Sequence, residues 1–125
     1  MREKIYTKNA PEPIGVYSQA IKTNNLVFTA GMISIDPATG NFVDGDIKVQ
    51  TRMALNHLSA ILKEAGTSIE KAVKLTIYMT DLAEFASVNE VFGEFFKNDP
   101  PARAALGAGS LPKGAKIEID CVAVI

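Results

Sequence analysis

The chain is poor in the residues from which disulfides and metal sites are made. Cys121 is its only cysteine and His57 its only histidine. A single cysteine can form neither an intrachain disulfide nor a thiolate metal cluster, which favours a reducing cytoplasm as the location. The sequence contains no phosphate-cradling glycine loop with its lysine, no His-Glu-x-x-His and no Gly-x-Ser-x-Gly. Nucleotide hydrolases, zincins and serine hydrolases are therefore poor candidates.

Neither sign of charge is in excess, and no hydrophobic run is long. The 13 Lys and Arg residues oppose 14 Asp and Glu residues, so nucleic acid and anionic membranes are poor default partners. The longest stretch without a charge, residues 23–35, is shorter than the roughly 18 apolar residues of a membrane-spanning helix. The first residues lack the apolar core of a signal peptide, so we expect the protein to remain where it is made.

What the chain does have is the composition of a globular domain. Apolar residues make up 47% and charged residues 22% of the 125 residues, so the chain can bury a core. That length fits one hydrophobic core and leaves no room for a second. We therefore expect a single domain over residues 1–125.

Two segments have the apolar periodicity of helices. Residues 46–65 carry apolar side chains at three- and four-residue spacings, with Asp44 or Asp46 available as the N-terminal cap and Gly66 as the end. A second helix is predicted to begin at Asp81, which has an acid three places on, and to end before a Pro-Pro pair.

The remaining apolar segments have the pattern of strands. Between the helices, residues 73–79 alternate strictly between apolar and polar side chains, the period of a strand with one buried face. Further strands are predicted at residues 4–7, 16–22, 26–30, 102–108 and 116–125. The order of elements predicts an α+β fold, a two-layer sandwich with two helices on one face of a mixed sheet of about six strands.

The last strand predicts a contact with another subunit. On one of its faces Lys116, Glu118 and Asp120 give way to Val122 and Val124. Helices cover only one face of such a sheet, so we expect the apolar part of the other face to meet another subunit.

His57 and Cys121 are more readily structural than catalytic. His57 lies beside the apolar stripe of the first helix, with no second histidine to share a metal, which favours a structural histidine over a proton shuttle. Cys121 lies on the apolar side of the last strand without an evident basic neighbour, which favours an inert buried thiol.

Arg103 is the most informative charged residue. It interrupts a strand of small apolar residues, where a charge is costly unless it is paired or used. Glu118 stands in what we predict to be an adjacent strand, so a contact with Arg103 is geometrically plausible. Spacing alone leaves two interpretations open, a structural ion pair and a carboxylate-binding site. Asn89 on the inward face of the second helix and Tyr17 in a short strand are, taken alone, ordinary packing residues.

Short motifs at both ends of the chain and between them occur in the same order as in one protein family. They are Ala10-Pro11, Ile14 to Ala20 (IGVYSQA), Ala30-Gly31, Gln50-Thr51, Asp81-Leu82, Phe85 to Asn89, Pro101 to Leu106 (PARAAL), Gly109-x-Leu111-Pro112 and Ile117-Glu118-Ile119. Together they resemble the reactive intermediate deaminase family, also called RidA or YjgF, over the whole chain.

The resemblance implies an architecture and a reaction. The architecture is a chorismate mutase-like homotrimer with helices outside, sheets around the central axis and clefts between subunits. The reaction is the hydrolysis of small 2-imino acids, such as 2-iminopropanoate and 2-iminobutanoate, which form from enamines such as 2-aminoacrylate. The products are the 2-keto acid and ammonia, and the family uses neither a cofactor nor a metal.

The resemblance also implies roles for individual residues. Arg103 matches the arginine that grips the substrate carboxylate bidentately, a task suited to the fork of a guanidinium. Glu118 matches the glutamate that positions or activates water as a general acid or base. Tyr17 and the backbone of Gly31, supplied by the neighbouring subunit, close the cleft, and Asn89 helps to shape it.

The chain departs from the pattern of many family members in two places. Ser-Cys or Thr-x often follows the arginine, whereas this chain has Ala104 and Ala105, and Ala30 stands where Ser often precedes the glycine. We still expect Ala105 to be a substrate-binding position beside Arg103. No thiol or hydroxyl at these positions can take part in the chemistry.

Two other functions stay open at this point. The same Arg103 cleft would serve a non-catalytic protein that binds a 2-keto acid or another small carboxylate and reports its level to a partner protein. Some family members carry an endoribonuclease label. A ribonuclease would want paired histidines or clustered carboxylates beside a basic stripe, and this chain has one histidine and a net charge of −1.

Overall fold

The computed structural model describes residues 1–125. Its strands form one mixed sheet, on one face of which both helices pack. Its six strands are β1 (Arg2–Ile5), β2 (Ala20–Thr23), β3 (Leu26–Thr29), β4 (Ala72–Met79), β5 (Ala102–Gly107) and β6 (Ile117–Val124), and its two helices are α1 (Ile47–Glu64) and α2 (Phe85–Phe95). The order across the sheet is β1-β2-β3-β6-β4-β5, with only β4 and β5 parallel. The predicted α+β class is confirmed.

The first helix begins and ends where its cap residues predict. The Asp46 carboxylate accepts a hydrogen bond from the Val49 amide at 2.9 Å, so Asp46 is the cap rather than Asp44. Gly66 follows the last turn with a φ of +90°, a left-handed conformation that glycine adopts without strain. Between these ends, the buried side chains of α1 pack on the inner faces of the central strands.

The second helix starts later than the prediction. The Asp81 carboxylate accepts from the Ala83 amide at 3.0 Å and caps a 3₁₀ turn at Leu82–Glu84, and the α-helix begins at Phe85. Since the short Asp side chain reaches an amide only two residues on, it favours the tighter turn. Neither helix is long and apolar enough to cross a bilayer.

The second strand is shorter than the predicted 16–22. It begins at Ala20, which pairs with Thr29, and β3 leaves the ladder beyond that residue. Only one further bond, from the Ala30 amide to the Gln19 carbonyl at 2.8 Å, extends the pairing. Tyr17 therefore lies in an irregular loop rather than in a strand, which corrects its predicted position.

The face of the sheet opposite the helices is uncovered and partly apolar. Phe28 on β3, 44% exposed, lies there beside half-buried Val122 and Val124 of β6. Leu106 on β5, 43% exposed, lies farther along the same face, opposite Tyr78. Such a patch is typical of surfaces that bind another protein. The apolar second face expected from the last strand is present.

His57 and Cys121 are both buried, as the structural interpretation requires. His57 is 4% exposed, and burial lowers the pKa of its imidazole although the Ile35 carbonyl and the Asp36 charge act in the opposite direction. Burial, and then the negative charge of Asp120, raise the pKa of the Cys121 thiol to about 12. A thiol with that pKa is a poor nucleophile at neutral pH.

Candidate functional site

The pairing of β3 with β6 is interrupted next to Glu118. Phe28 pairs with Val122, but the next paired residues are Met32 and Ile119, so β3 contains one extra residue in between. Such a bulge bends the strand out of the ladder. The Thr29 hydroxyl replaces the lost backbone partner by accepting from the Cys121 amide at 3.0 Å.

The bulge brings the backbone of Gly31 against the Glu118 side chain. A Cβ atom at position 31 would lie 2.8 Å from Cδ and 2.9 Å from Cγ of Glu118, closer than such atoms approach. Only glycine therefore leaves room for the carboxyl group in this position.

Glu118 opens into a cleft of about 320 Å³, which we call the Glu118 cleft. Its polar side is formed by Glu118, Gly31, Tyr17 and Glu12. The remaining wall is apolar and consists of Pro11, Ile14, Ala30, Met32, Ile33, Ile35 and Pro112. No basic side chain lines this cleft, and the chain contains no group of three or more His, Cys, Asp or Glu residues placed to hold a metal ion.

A buried amide holds the loop that forms one side of the Glu118 cleft. Gln19, 1% exposed, accepts from the Thr7 amide at 2.8 Å and donates to the carbonyls of Thr7 and Pro11, both at 2.9 Å. The Tyr17 hydroxyl in the same loop accepts from the Ile14 amide at 3.3 Å. Gln19 lies within the IGVYSQA motif, but the sequence does not reveal this role, because an irregular loop has no periodicity from which to infer one.

The Glu118 carboxyl is tuned toward its protonated form. Burial raises its pKa, and the negative charge of Asp120 raises it further. No Lys, Arg or His lies within 4.0 Å of either carboxylate to oppose this. A carboxyl that holds its proton to higher pH suits a general acid.

Arg103 lies elsewhere, on the outer edge strand β5. Its guanidinium carbon is 4.8 Å from the centre of the Phe85 ring and 5.2 Å from that of Phe92, at cation–π distances. Its Nη1 donates to Oδ1 of Asn89 at 3.0 Å. Asn89 is exposed on the side of α2 beside β5, so its predicted place on the inward face is wrong. Arg103 is also exposed, so no buried charge needs compensation.

A second cleft, the Arg103 cleft, has a volume of about 400 Å³. It is lined by Asn89, Phe92, Gly93, Phe96, Pro100, Pro101 and Arg103. No carboxylate lies within 4.0 Å of Arg103, so most of the guanidinium N–H groups are available to a ligand. Ala105 is two residues along β5 and shares the face of Arg103, where its methyl group occupies little space.

Arg103 and Glu118, for which spacing made a contact plausible, do not meet within one chain. Strand β4 separates their strands, and pairing across it aligns Arg103 with Leu75 and Cys121, on the helix-covered face. Glu118 aligns with Tyr78 on the opposite face. Two strand spacings and three residues of rise place the two Cα atoms roughly 14 Å apart.

The two clefts divide the predicted site residues differently from the expectation. Tyr17 and Gly31 line the cleft of Glu118 in their own chain, whereas Arg103 and Asn89 line the other. Within one chain, Tyr17 and Gly31 are therefore partners of Glu118, and Arg103 is the residue that lies apart.

Comparisons with known proteins match related proteins over nearly the whole length of the chain. A family model described as endoribonuclease L-PSP matches residues 7–125. A RutC family protein of Pyrococcus horikoshii is 51% identical over 98% of both chains. The 2-iminobutanoate/2-iminopropanoate deaminase of Rattus norvegicus is 40% identical over 99% of this chain and 90% of the rat protein. The crystal structure of YyfA, a Rid family protein of Yersinia pestis, superimposes with a TM-score of 0.97 and 42% identity over 100% of both chains.

Proposed function

The chain belongs to the reactive intermediate deaminase (RidA/YjgF) family, and on that premise we propose that it is an enzyme that hydrolyses small 2-imino acids. The products are the 2-keto acid and ammonia, with 2-iminopropanoate and 2-iminobutanoate as substrates. The name of the rat relative supports this reaction. The observation that carries the proposal is an Arg103 guanidinium free of carboxylate partners, together with a Glu118 whose pKa is raised by burial in a cleft without basic residues.

The active site is proposed to form between copies in a homotrimer. One chain presents Arg103 with Asn89 in one cleft and Glu118 with Tyr17 and Gly31 in the other, so neither cleft is complete alone. The cationic cleft of one copy is complementary in charge to the acidic cleft of the next. The uncovered apolar face with Phe28 and Leu106 provides a surface for the contact.

Each half-site has a distinct task in the proposed reaction. Arg103 binds the substrate carboxylate through two parallel hydrogen bonds, which orients the imine toward the neighbouring copy. Glu118 donates its proton to the imine nitrogen, and its carboxylate then accepts a proton from the water that attacks the imine carbon. In the resulting carbinolamine, Glu118 protonates the amino nitrogen, the C–N bond breaks and the hydroxyl proton returns to Glu118 as the carbonyl forms.

The mechanism converts one imine and one water into one keto acid and one ammonia. All protons move through Glu118, so the mechanism invokes no cofactor and no metal. It also uses no hydroxyl or thiol at Ala30, Ala104 or Ala105.

The test couples a serine or threonine dehydratase, which generates the imine, to the purified protein in the presence of semicarbazide as a competing trap. We expect the wild type to divert imine from the trap and Arg103→Ala to lose this effect by about 100-fold, since orientation is lost with the carboxylate contact. Lys71→Ala, an exposed cation that lines neither cleft, is the matched control and should behave as wild type. A wild type that diverts no imine would contradict the proposal.

A non-catalytic protein that binds small carboxylates is the second candidate. The observation that favours it is that Arg103 and Asn89 lie hydrogen-bonded in one cleft of a single chain, apart from Glu118. This alternative predicts binding of 2-keto acids that survives Glu118→Gln, combined with an absence of turnover in the wild type. The Glu118 cleft has two carboxylates and no basic residue, so we do not propose RNA as a substrate.

A further inference from the structure

The side chain of Arg103 lies against one side of α2. Phe85, Asn89 and Phe92 are spaced so that they share that side of the helix. The Arg103 guanidinium carbon is 4.8 Å from the ring centre of Phe85 and 5.2 Å from that of Phe92. Its Nη1 donates to Oδ1 of Asn89 at 3.0 Å. One arginine of β5 thus contacts successive turns of one helix.

The hydrogen bond and the ring contacts restrain different motions of the guanidinium. The bond from Nη1 to Asn89 fixes the position of one nitrogen, but the group can still turn about that bond. The rings attract the cation across their faces, so two of them together limit where the plane of the guanidinium lies. An exposed arginine without such contacts samples many rotamers, and ordering it when a ligand binds costs conformational entropy.

The two rings are themselves held in place by the core. Phe92 is 5% exposed and belongs to the hydrophobic core, and Phe85 packs against that core. Phe92 also contacts Phe96, with ring centres 5.6 Å apart. All of these contacts join residues of one chain. The restraint on Arg103 therefore comes from the chain itself and not from groups that a neighbouring copy brings.

A guanidinium with a fixed plane is what a carboxylate needs for two parallel hydrogen bonds. No carboxylate lies within 4.0 Å of Arg103, and Asn89 uses one N–H, so donors remain for such a pair. Resting on the proposed function, we propose that Phe85 and Phe92 are positioning residues that hold the Arg103 guanidinium ready for the substrate carboxylate. Phe92 also lines the Arg103 cleft, whereas Phe85 does not and so acts only through Arg103.

The first measurement is the binding of 2-oxobutanoate, a stable 2-keto acid, by isothermal titration calorimetry. Phe85→Leu and Phe92→Leu each keep an apolar side chain and remove one ring. We expect each variant to bind about 3-fold more weakly and the double variant about 10-fold more weakly, the size of exposed cation–π contacts. Phe85→Tyr, which keeps the ring, should bind as the wild type does.

The second measurement is the motion of Arg103 itself, which needs no ligand. The NMR signal of its Nε–H group is identified by its loss in Arg103→Ala, and the order parameter of that group reports fast motion. Both Leu variants should lower the order parameter. Phe95→Leu is the matched control, because Phe95 lies on the same helix and packs against the same core but lines neither cleft. It should leave the affinity and the order parameter unchanged.

Turnover distinguishes positioning from a merely structural role. Once the carboxylate has bound, Arg103 is in place with or without the rings. Phe85→Leu should therefore raise KM for the imine and leave kcat unchanged. A loss of folded enzyme would lower the apparent kcat instead.

An affinity or an Arg103 order parameter that is unchanged in both Leu variants would overturn the inference, as would a wild type that binds no 2-oxobutanoate. Phe85 is only half-buried, so Phe85→Leu decides the outcome if Phe92→Leu does not fold. If the wild type has no deaminase activity while ring removal weakens keto-acid binding, the proposed function fails and the positioning of Arg103 stands. If the wild type is active and the Leu variants match it in both measurements, only the role of the rings fails.

Discussion

Arg103 and Glu118 project from opposite faces of one sheet, with β4 running between their strands. The carboxylate-binding cation and the proton carrier of the proposed reaction are therefore segregated into two clefts of the same chain. In the proposed reaction, the site that contains both residues combines two copies. A chain that lacks one of the two residues can then still form a site with a second chain that provides it.

This arrangement predicts complementation between two inactive variants. Arg103→Ala and Glu118→Gln should each be inactive alone, but chains unfolded, mixed in equal amounts and refolded together should regain activity. Random assembly leaves roughly a quarter of the sites with both wild-type residues. The measurement is the rate of imine hydrolysis after mixing.

The control for complementation is the double variant Arg103→Ala/Glu118→Gln, refolded with an equal amount of either single variant. Such mixtures contain no site with both wild-type residues and should stay inactive. Equal activity in these mixtures and in the mixture of the single variants would contradict a site built from two copies.

Gly31→Ala should impair catalysis while leaving the fold intact. The added Cβ would lie 2.8 Å from Cδ of Glu118, so the carboxyl group must move. A displaced acid loses its alignment with the imine, and we expect turnover to fall by about 100-fold. Gly109→Ala, where an added Cβ meets nothing within 4 Å, is the control. Circular dichroism and turnover together check this, and a Gly31→Ala enzyme with wild-type turnover would show that Glu118 tolerates the shift.

Gln19→Ala should destabilise the protein. It leaves the Thr7 amide and the Thr7 and Pro11 carbonyls without their buried partner. Unsatisfied buried backbone groups of this kind lower the free energy of unfolding, here by about 3 kcal/mol. Tyr17→Phe in the same loop removes one bond of 3.3 Å and should lower it by less than about 1 kcal/mol. Urea denaturation at one protein concentration measures both, and similar stability of the two variants would contradict the role of Gln19.

His57 should make the protein less stable in mild acid. Its pKa in the folded chain lies below the ordinary value of 6.5, because burial disfavours the imidazolium. As pH falls through the window beneath 6.5, the unfolded chain binds the proton more readily than the folded chain, so the free energy of unfolding decreases.

The measurement for His57 compares urea denaturation at about pH 7.5 and about pH 5.5, on either side of the ordinary histidine pKa. His57→Met, whose side chain is apolar and does not titrate, should lose less stability between the two conditions than the wild type. Other titrating groups are common to both proteins and cancel in this difference. An equal loss in the two proteins would mean that His57 does not titrate differently on unfolding.

Local signals in the sequence predicted most of the secondary structure. Asp46 and Gly66 mark the ends of α1 because a cap bond and a left-handed residue act within a few positions of the chain. The alternation of residues 73–79 predicted β4, since one face of that strand is buried under the helices. Asp81 was correctly seen as a cap, but it caps a 3₁₀ turn, a choice set by the reach of its side chain.

Asn89 shows where helical periodicity ceases to be informative. Its spacing from the phenylalanines of α2 predicted an inward position, yet it lies exposed beside the edge strand and binds Arg103. The side of a helix next to an edge strand is covered by no further strand, and periodicity does not reveal how far the sheet extends.

The family, the α+β class and the choice of candidate site residues follow from the sequence, because motifs, composition and side-chain alternation are properties of the chain itself. The division of those residues between the two clefts follows from tertiary structure, because the order of strands in the sheet depends on contacts between distant parts of the chain. Strand β6 inserts between β3 and β4, which places Glu118 beside the bulge at Gly31 and leaves Arg103 on the far edge of the sheet. No spacing along the chain encodes that insertion, since it depends on which edges and faces can be buried together.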